Sequence, residues 1–406
     1  MSDNNKGLTR RGFLAGAAAA GAGALLDPRN SGAAITRLAK NDAAMQVPTR
    51  PFGKTGVNVS TLSMGGMYDI PSNQLMLRQA LRWGVTYWDT AHSYGGGRSE
   101  EGIGKYFDKY PEARKDVFLV TKGRGWSPGD LARSLDESLD RLKTDYVDLF
   151  FIHGISSPGD MDREVKSFAD KAKAAGKIRF IGFSTHRNMA ECLLGAPALG
   201  FVDGVMFTYN FRLVHEDDMR RAVDSCHEAG IGLTAMKTQG GGPVRANSER
   251  ELELAGKFLE RGFTDKQARL KAVWEDRRIA AICSQMPNLT IMAANVAAAM
   301  DRTSLSSAEK ELFRRYAEET AHAYCAGCAS VCEGAVPGSP PVADVMRHLM
   351  YHSEYGDPDR ARQEFADLPE AARRLLANSD YTEAQRRCPR NLPIAQLVRR
   401  AFDILG

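Results

Sequence analysis

The chain contains 406 residues, of which 43% are hydrophobic and 26% are charged, and its formal net charge is +4. These proportions are ordinary for a soluble globular protein. Lys6, Arg10 and Arg11, against Asp3, supply two of those positive charges, so the remainder of the chain is close to neutral. Neither nucleic acid nor a membrane surface is therefore expected as the main partner.

The first 26 residues have the layout of an export signal. A charged segment that ends in Arg10-Arg11 precedes an apolar run, rich in alanine and glycine, from Gly12 to Leu26. Such a run extends only about 22 Å as a helix, less than a bilayer core of roughly 30 Å, so no stable membrane insertion is expected. The order Thr-Arg-Arg-Gly-Phe-Leu is similar to a twin-arginine signal, and predicts delivery to the periplasm or another extracytoplasmic compartment by the twin-arginine translocation machinery. The alternative is a disordered alanine-rich tail.

After this signal and its linker, assigned to residues 1–49, alternating strands and helices are predicted over residues 50–304. A short hairpin with a glycine turn is expected over Phe52–Val59. Eight strand candidates follow, separated by amphipathic helices: Leu62–Met64, Tyr87–Asp89, Val117–Thr121, Val147–Ile152, Ile178–Ser184, Gly204–Phe207, Gly232–Met236 and Ile279–Ile282. This alternation predicts a closed parallel (β/α)8 TIM barrel rather than an open sheet.

Four residues with complementary chemistry lie at the carboxyl ends of successive predicted strands, where such barrels hold their active sites. Asp89, Lys122 and His153 end the second, third and fourth strands, and Tyr94 lies in the loop after the second. A lysine beside a tyrosine favours the phenolate that forms when the proton leaves. Asp89 would hold Lys122 in place, and His153 would orient a carbonyl oxygen towards Tyr94. Together the four residues predict general acid catalysis of carbonyl reduction.

The segments Asp89–Gly95, Glu100–Lys105, Val120–Lys122 and Phe151–His153 resemble the aldo-keto reductase family, and the resemblance covers roughly residues 50–300. It implies an oxidoreductase that transfers a hydride between a nicotinamide cofactor and a small carbonyl or alcohol, with Tyr94 as general acid/base. It also implies that the initial hairpin closes the amino-terminal mouth of the barrel. Trp126, in the loop after the third strand, would line the pocket or simply pack on the rim.

The cofactor positions of the family are matched only in part. The resemblance assigns cofactor binding to five residues: Ser184, Asn210, Lys237, Ser284 and Asn295. Thr185 and Met206 stand where the family usually has an asparagine and a glutamine, and the segment from Ser284 to Thr290 has no lysine or arginine for the adenosine phosphate. Binding of NAD or NADP is therefore expected, while the preference between them is left open.

The seven cysteines are unevenly distributed. Three are expected to be small buried apolar residues of the barrel: Cys192, Cys226 and Cys283. Cys325, Cys328 and Cys332 lie close together in the chain, and Cys388 follows 56 residues later, directly before a proline. Thiolates spaced in this way favour a metal site.

Residues 305–406 are predicted to form a mostly helical module, with Asp357–Asp380 separating two helical pieces. Its cysteines are similar to a ferredoxin motif, so the chain resembles the twin-arginine-exported aldo-keto reductases that carry a ferredoxin-like tail. This resemblance implies one [4Fe–4S] cluster held by all four tail cysteines, together with an electron-transfer partner. Three residues separate Cys328 from Cys332 where ferredoxins have two, which leaves a zinc site, or two disulfides formed after export, as alternatives.

Two kinds of function follow from these patterns. The first is an exported nicotinamide-dependent reductase or dehydrogenase with an iron–sulfur module. The second is a non-catalytic barrel that senses redox state or binds a partner and retains a four-cysteine metal site. The complete set of four catalytic residues favours the enzyme, whereas the altered cofactor positions favour the second interpretation.

Overall fold

The computed structural model of the protein describes residues 45–406 with the exception of Trp126. The predicted export signal, most of the linker and the expected role of Trp126 lie outside the described residues. None of the helices in the described part combines the length and apolar character that crossing a membrane requires.

Eight parallel strands form a closed barrel in which the last strand pairs with the first. A two-stranded hairpin precedes it, and the strands in chain order are β1 Thr49–Pro51, β2 Asn58–Ser60, β3 Leu62–Gly65, β4 Tyr87–Asp89, β5 Phe118–Gly123, β6 Val147–Ile155, β7 Ile178–Thr185, β8 Gly204–Thr208, β9 Gly232–Met236 and β10 Ala281–Gln285. The predicted barrel is confirmed, and the ends of its strands shift by no more than three residues.

Nine helices accompany the barrel in the described part of the chain: α1 Gln74–Arg82, α2 Arg98–Lys109, α3 Pro128–Leu142, α4 Arg163–Ala174, α5 Met189–Leu199, α6 Asp217–Glu228, α7 Glu249–Glu260, α8 Asp265–Trp274 and α9 Leu289–Met300. Local capping explains several of their starts. The side chain of Ser127 accepts from Asp130 N at the start of α3, and Asp162 accepts from two backbone N–H groups at the start of α4. These caps satisfy donors that the first helical turn leaves without partners.

The hairpin closes the amino-terminal end of the barrel, as expected. It begins before the predicted range of Phe52–Val59, because its strands are Thr49–Pro51 and Asn58–Ser60 and residues 52–57 connect them. Phe52 is fully buried there, with its ring centroid 6.4 Å from that of Tyr87 and 5.6 Å from that of Phe118. Gly204 and Gly232 leave room for this ring, since a β-carbon at either position would lie 2.8 Å or less from its atoms. The carboxyl ends of the strands therefore form the accessible rim.

From residue 307 onwards the described chain forms helices and no strand: α10 Ser307–Glu319, α11 Ala329–Cys332, α12 Val342–Ser353, α13 Pro358–Ala366, α14 Glu370–Asn378, α15 Thr382–Arg387 and α16 Ile394–Leu405. The expectation that Asp357–Asp380 separates helical pieces is wrong, because this segment itself forms α13 and α14. Pro358 is the first residue of α13, where a missing N–H costs nothing, and Asp357 caps that helix. Pro369 directly precedes α14.

The helical tail packs against the carboxyl-terminal rim of the barrel. Asn188, at the end of the β7 loop, donates its backbone N–H to the Gly327 carbonyl at 2.7 Å. In the loop after β9, a β-carbon on Gly242 would lie 1.9 Å from the carbonyl oxygen of Ala323. The tail therefore packs on the β7–β9 side of the carboxyl-terminal rim, at the same end of the barrel as the predicted catalytic residues.

Candidate active site

The barrel register brings the predicted catalytic strand ends together. Asp89 of β4 pairs with Val120 of β5, and His153 of β6 pairs with Ser184 of β7. Tyr94 follows β4, and the next two residues, Gly95 and Gly96, have φ angles of 59° and 66°. Glycine adopts these left-handed angles without strain, so the chain can turn directly after Tyr94.

Lys122 is the centre of this group. Its Nζ donates to Asp89 Oδ2 at 2.7 Å, to the Thr90 carbonyl at 2.7 Å and to Tyr94 Oη at 3.2 Å. Lys122 and Asp89 are both almost fully buried, with exposures of 1% and 2%. Because an ammonium has three donors, the side chain of Lys122 is fully satisfied by these contacts.

Tyr94 keeps its proton at neutral pH. Burial raises the pKa of Tyr94 to about 12, while the charge of Lys122 acts in the opposite direction. The sequence-based expectation that Lys122 eases proton release is right in direction, but burial has the larger effect. Burial lowers the pKa of Lys122, but the opposing effects, of which the charge of Asp89 is the largest, raise this pKa above its ordinary value.

His153 completes the group as a neutral side chain. Its ring lies edge-on to that of Tyr94, with centroids 5.8 Å apart. Burial lowers its pKa well below the ordinary value, and the charges of Lys122 and Arg124 lower it further. A neutral imidazole can hydrogen-bond a carbonyl oxygen without adding a charge to the site.

Cys283 is a site residue that the sequence reasoning missed. It was expected to be a buried apolar residue, as Cys192 and Cys226 are, but it lies half-buried in β10 beside Asp89 and Lys122. Burial and the Asp89 charge raise the pKa of its thiol well above the ordinary value. The strand order could have indicated this position. In a closed barrel the last strand, β10, pairs with β3, and β3 pairs with the strand that carries Asp89, β4.

The predicted cofactor residues lie in three places. Ser284 and Asn295 lie together, with Asn295 Nδ2 donating to Ser284 Oγ at 3.0 Å. Ser184 Oγ accepts from the backbone N–H of Gly154 at 3.1 Å. Asn210 and Lys237 both contact the tail: Asn210 Nδ2 donates to Tyr324 Oη at 3.0 Å and Lys237 Nζ to Tyr351 Oη at 2.7 Å.

The two positions that depart from the family pattern have structural roles here. Thr185 Oγ1 lies 2.8 and 2.7 Å from the carbonyl oxygens of Ile155 and Arg187, to either of which it can donate its single proton. Met206 is 1% exposed and packs in the apolar core beneath the rim. Neither side chain is free to bind a nicotinamide amide.

A cavity lies between the rim and the tail, with a non-atom volume of about 430 Å³, part of it open to solvent. Thr208, Asn210 and Lys237 line it from the barrel, and Tyr324 and Arg347 line it from the tail.

All four tail cysteines line a second cavity of about 370 Å³ that also opens to solvent: Cys325, Cys328, Cys332 and Cys388. Its remaining walls are mostly apolar, and all seven cysteines are free thiols. Burial raises the pKa of Cys325, and that of Cys332 to about 12. Within the described residues, no group of three or more His, Cys, Asp or Glu side chains is placed to hold a metal ion. Cys325 and Met346 line both cavities and so separate them.

Comparison with known proteins decides the family. Residues 61–304 match the aldo/keto reductase family, which is more than half of the chain. The chain belongs to the aldo/keto reductase family. The match covers the barrel and ends before the tail.

Curated relatives from this family match at modest identity. The NADP(+) aldo-keto reductase yakc of Schizosaccharomyces pombe is 32% identical over 217 residues, which are 49% of this chain and 63% of that protein. The L-galactose dehydrogenase of Arabidopsis thaliana is 26% identical over 297 residues, 66% of this chain and 92% of that protein. The chain therefore spans less than two thirds of the yeast relative.

Solved structures of aldo-keto reductases share the barrel fold. The thermostable aldo-keto reductase Tm1743, solved with the inhibitor epalrestat, superposes with a TM-score of 0.54 at 26% identity. The superposition covers 66% of this chain and 99% of the Tm1743 chain. The holo form of aldo-keto reductase AKR11C1 from Bacillus halodurans gives a TM-score of 0.55 at 22% identity. This superposition covers 66% of this chain and 96% of the AKR11C1 chain.

The Lys122–Asp89 pair makes the first testable prediction. Lys122→Met should lower the free energy of unfolding by about 3–5 kcal/mol, because Asp89 is left as a buried carboxylate without its cation. Adding Asp89→Asn in the same chain should recover about half of that loss or more, and chemical denaturation of the single and double variants measures both effects.

Lys177→Met is the matched control, because Lys177 makes an exposed pair with Asp136 at 2.5 Å. It should change the free energy of unfolding by less than about 1 kcal/mol. Strictly additive effects of Lys122→Met and Asp89→Asn would contradict the buried pair.

Proposed function

We propose that this family member reduces the carbonyl group of a small molecule, with Tyr94 as the general acid. The observation that carries the proposal is the 3.2 Å hydrogen bond from Lys122 Nζ to Tyr94 Oη, at the rim of the barrel. Asp89 holds that ammonium from the opposite side at 2.7 Å. The chemistry of these groups supports proton transfer to an oxygen that gains negative charge.

The proton moves from Tyr94 Oη to the substrate oxygen. As the O–H bond breaks, the phenolate forms 3.2 Å from a permanently charged ammonium, which stabilises it. Neutral His153 donates a hydrogen bond to the same substrate oxygen and keeps it facing Tyr94. General acid catalysis of this kind contributes about 10²–10⁴ to the rate.

A bound nicotinamide supplies the hydride that reaches the carbonyl carbon. The residues present fit this group, because the rim cavity offers the hydroxyl of Thr208, the amide of Asn210 and the cation of Lys237. Ser184, Ser284 and Asn295 would add hydroxyl and amide contacts. The name of the yeast relative specifies NADP(+) for that protein, whereas no lysine or arginine between Ser284 and Asn295 singles out a 2′-phosphate in this chain.

Replacement of Tyr94 tests the reaction. Tyr94→Phe should lower kcat for reduction of an aldehyde by about 10²–10⁴-fold, because the ring stays and only the proton donor is lost. Steady-state kinetics with NADPH and with NADH measures the effect. Tyr110→Phe, a half-buried tyrosine after α2, is the control and should retain wild-type kcat. Unchanged kcat in Tyr94→Phe would remove Tyr94 as the acid.

We also propose that the four tail cysteines hold one [4Fe–4S] cluster. The four side chains line one cavity and all are free thiols, so the fold brings four candidate ligands to one place. Arg390 lines that cavity, and its charge would offset the negative charge of a thiolate-bound cluster.

Metal analysis separates the alternatives. Protein purified without oxygen should contain about four irons and as many sulfides per chain, and Cys332→Ser should lose them. Cys192→Ser, at a buried barrel cysteine outside both cavities, should keep its iron. One zinc per chain, or disulfides in place of metal, would contradict the cluster.

The remaining part of the proposal is export in the folded state. The residue order from Thr9 to Leu14 supports it, because a cofactor-containing protein is best loaded before it crosses a membrane. Replacing both Arg10 and Arg11 by lysine should retain the protein in the cytoplasm, as measured by cell fractionation. Arg37→Lys, outside the motif, is the matched control. Normal export of the double-lysine variant would exclude the twin-arginine route.

A further inference from the structure

Three cations from the barrel and the tail meet at the rim cavity. Lys237 and Arg347 line it directly. Arg360 of α13 lies beside them, with its Cζ 3.7 Å from the ring centroid of Tyr351. The hydroxyl of that same tyrosine accepts the hydrogen bond from Lys237 at 2.7 Å. The tail therefore adds two guanidinium groups to the end of the barrel that carries Tyr94.

These charges are only partly compensated. Arg347 Nη1 donates to Asp344 at 2.7 Å, but its Nη2 is 3.9 Å from Glu364. Arg360 uses Nε alone to reach Glu364, at 2.7 Å, and its two Nη groups donate to no described residue. Lys237 makes no ion pair with a described carboxylate and is held by the Tyr351 hydroxyl. The two Nη groups of Arg360 are therefore available for a ligand, next to the Tyr351 hydroxyl that holds Lys237 at the cavity wall.

Both arginines act on the catalytic residues. Their charges are among those that lower the pKa of His153, and Arg360 also interacts electrostatically with Tyr94. Asp344 and Glu364 hold the pKa of these arginines above the ordinary value despite burial, so both side chains stay charged. The donors that these carboxylates do not use can bind an anion.

Resting on the proposed function, we propose that Arg347 and Arg360 bind an anionic group on the substrate, so that the protein prefers carbonyl compounds that carry a carboxylate. The planar fork of an arginine matches the two oxygens of a carboxylate and binds them in parallel. In this arrangement residues of the barrel carry out the reaction, and two arginines of the tail select the substrate.

The wild-type protein gives the first test, without any variant that could misfold. kcat/KM is measured for para-carboxybenzaldehyde and for its neutral isostere para-formylbenzamide, with saturating NADPH. A charge-assisted contact predicts a preference of about tenfold or more for the acid. Equal values, or a preference for the amide, would overturn the proposal. Failure to reduce either aldehyde would instead count against the proposed function itself.

Variants then assign the preference to the tail. Arg347→Met and Arg360→Met should each lower the ratio of the two kcat/KM values about tenfold or more, mainly through KM for the acid. Arg360→Lys keeps the charge and should recover part of the ratio. Arg362→Met is the matched control, because Arg362 lies on the same helix, is exposed and pairs only with Asp359 at 3.4 Å among the described residues. Circular dichroism checks that each variant is folded.

The dinucleotide also carries anionic groups, and a binding measurement distinguishes the two sources. The Kd for NADPH should change by less than about twofold in Arg347→Met and Arg360→Met if the arginines bind the substrate. A tenfold rise in this Kd with an unchanged ratio of kcat/KM values would assign them to the phosphates of the cofactor and overturn the proposal.

Discussion

The buried ammonium of Lys122 is the interaction on which the rim of this barrel depends. Its three donors go to a carboxylate on β4, a backbone carbonyl just after β4 and the phenol of Tyr94. Because all three are used, the ammonium has no freedom to rotate away from the tyrosine. A parallel barrel makes this arrangement possible, since it brings the carboxyl ends of separate strands to one side of the molecule.

Two opposing effects then set the behaviour of Tyr94. Burial disfavours the charged phenolate and so raises the pKa of Tyr94, whereas the ammonium of Lys122 stabilises the phenolate and lowers that pKa. Tyr94 therefore holds its proton at neutral pH and has a positive charge beside its oxygen. This is the arrangement that the proposed role as general acid requires. Placing the same tyrosine in water would weaken both effects, so the burial of this group matters to its proton affinity.

Sequence reasoning found the barrel and the four rim residues because both have local signals: alternating apolar strands, and reactive side chains directly at strand ends. It could not find the contacts of the tail with the rim. Asn210 and Tyr324 are 114 residues apart, as are Lys237 and Tyr351, and nothing periodic links such positions. Cys283 was misassigned for a related reason, because a cysteine facing an apolar core and one facing a carboxylate look identical in a strand.

The contact between Gly242 and Ala323 has a consequence for how such a protein could arise. Any side chain at position 242 would collide with the backbone of the tail at 1.9 Å. A barrel with another residue there cannot accept this tail in the same position. A reductase barrel can therefore carry a tail in this position only if it has a glycine at this point of the loop after β9.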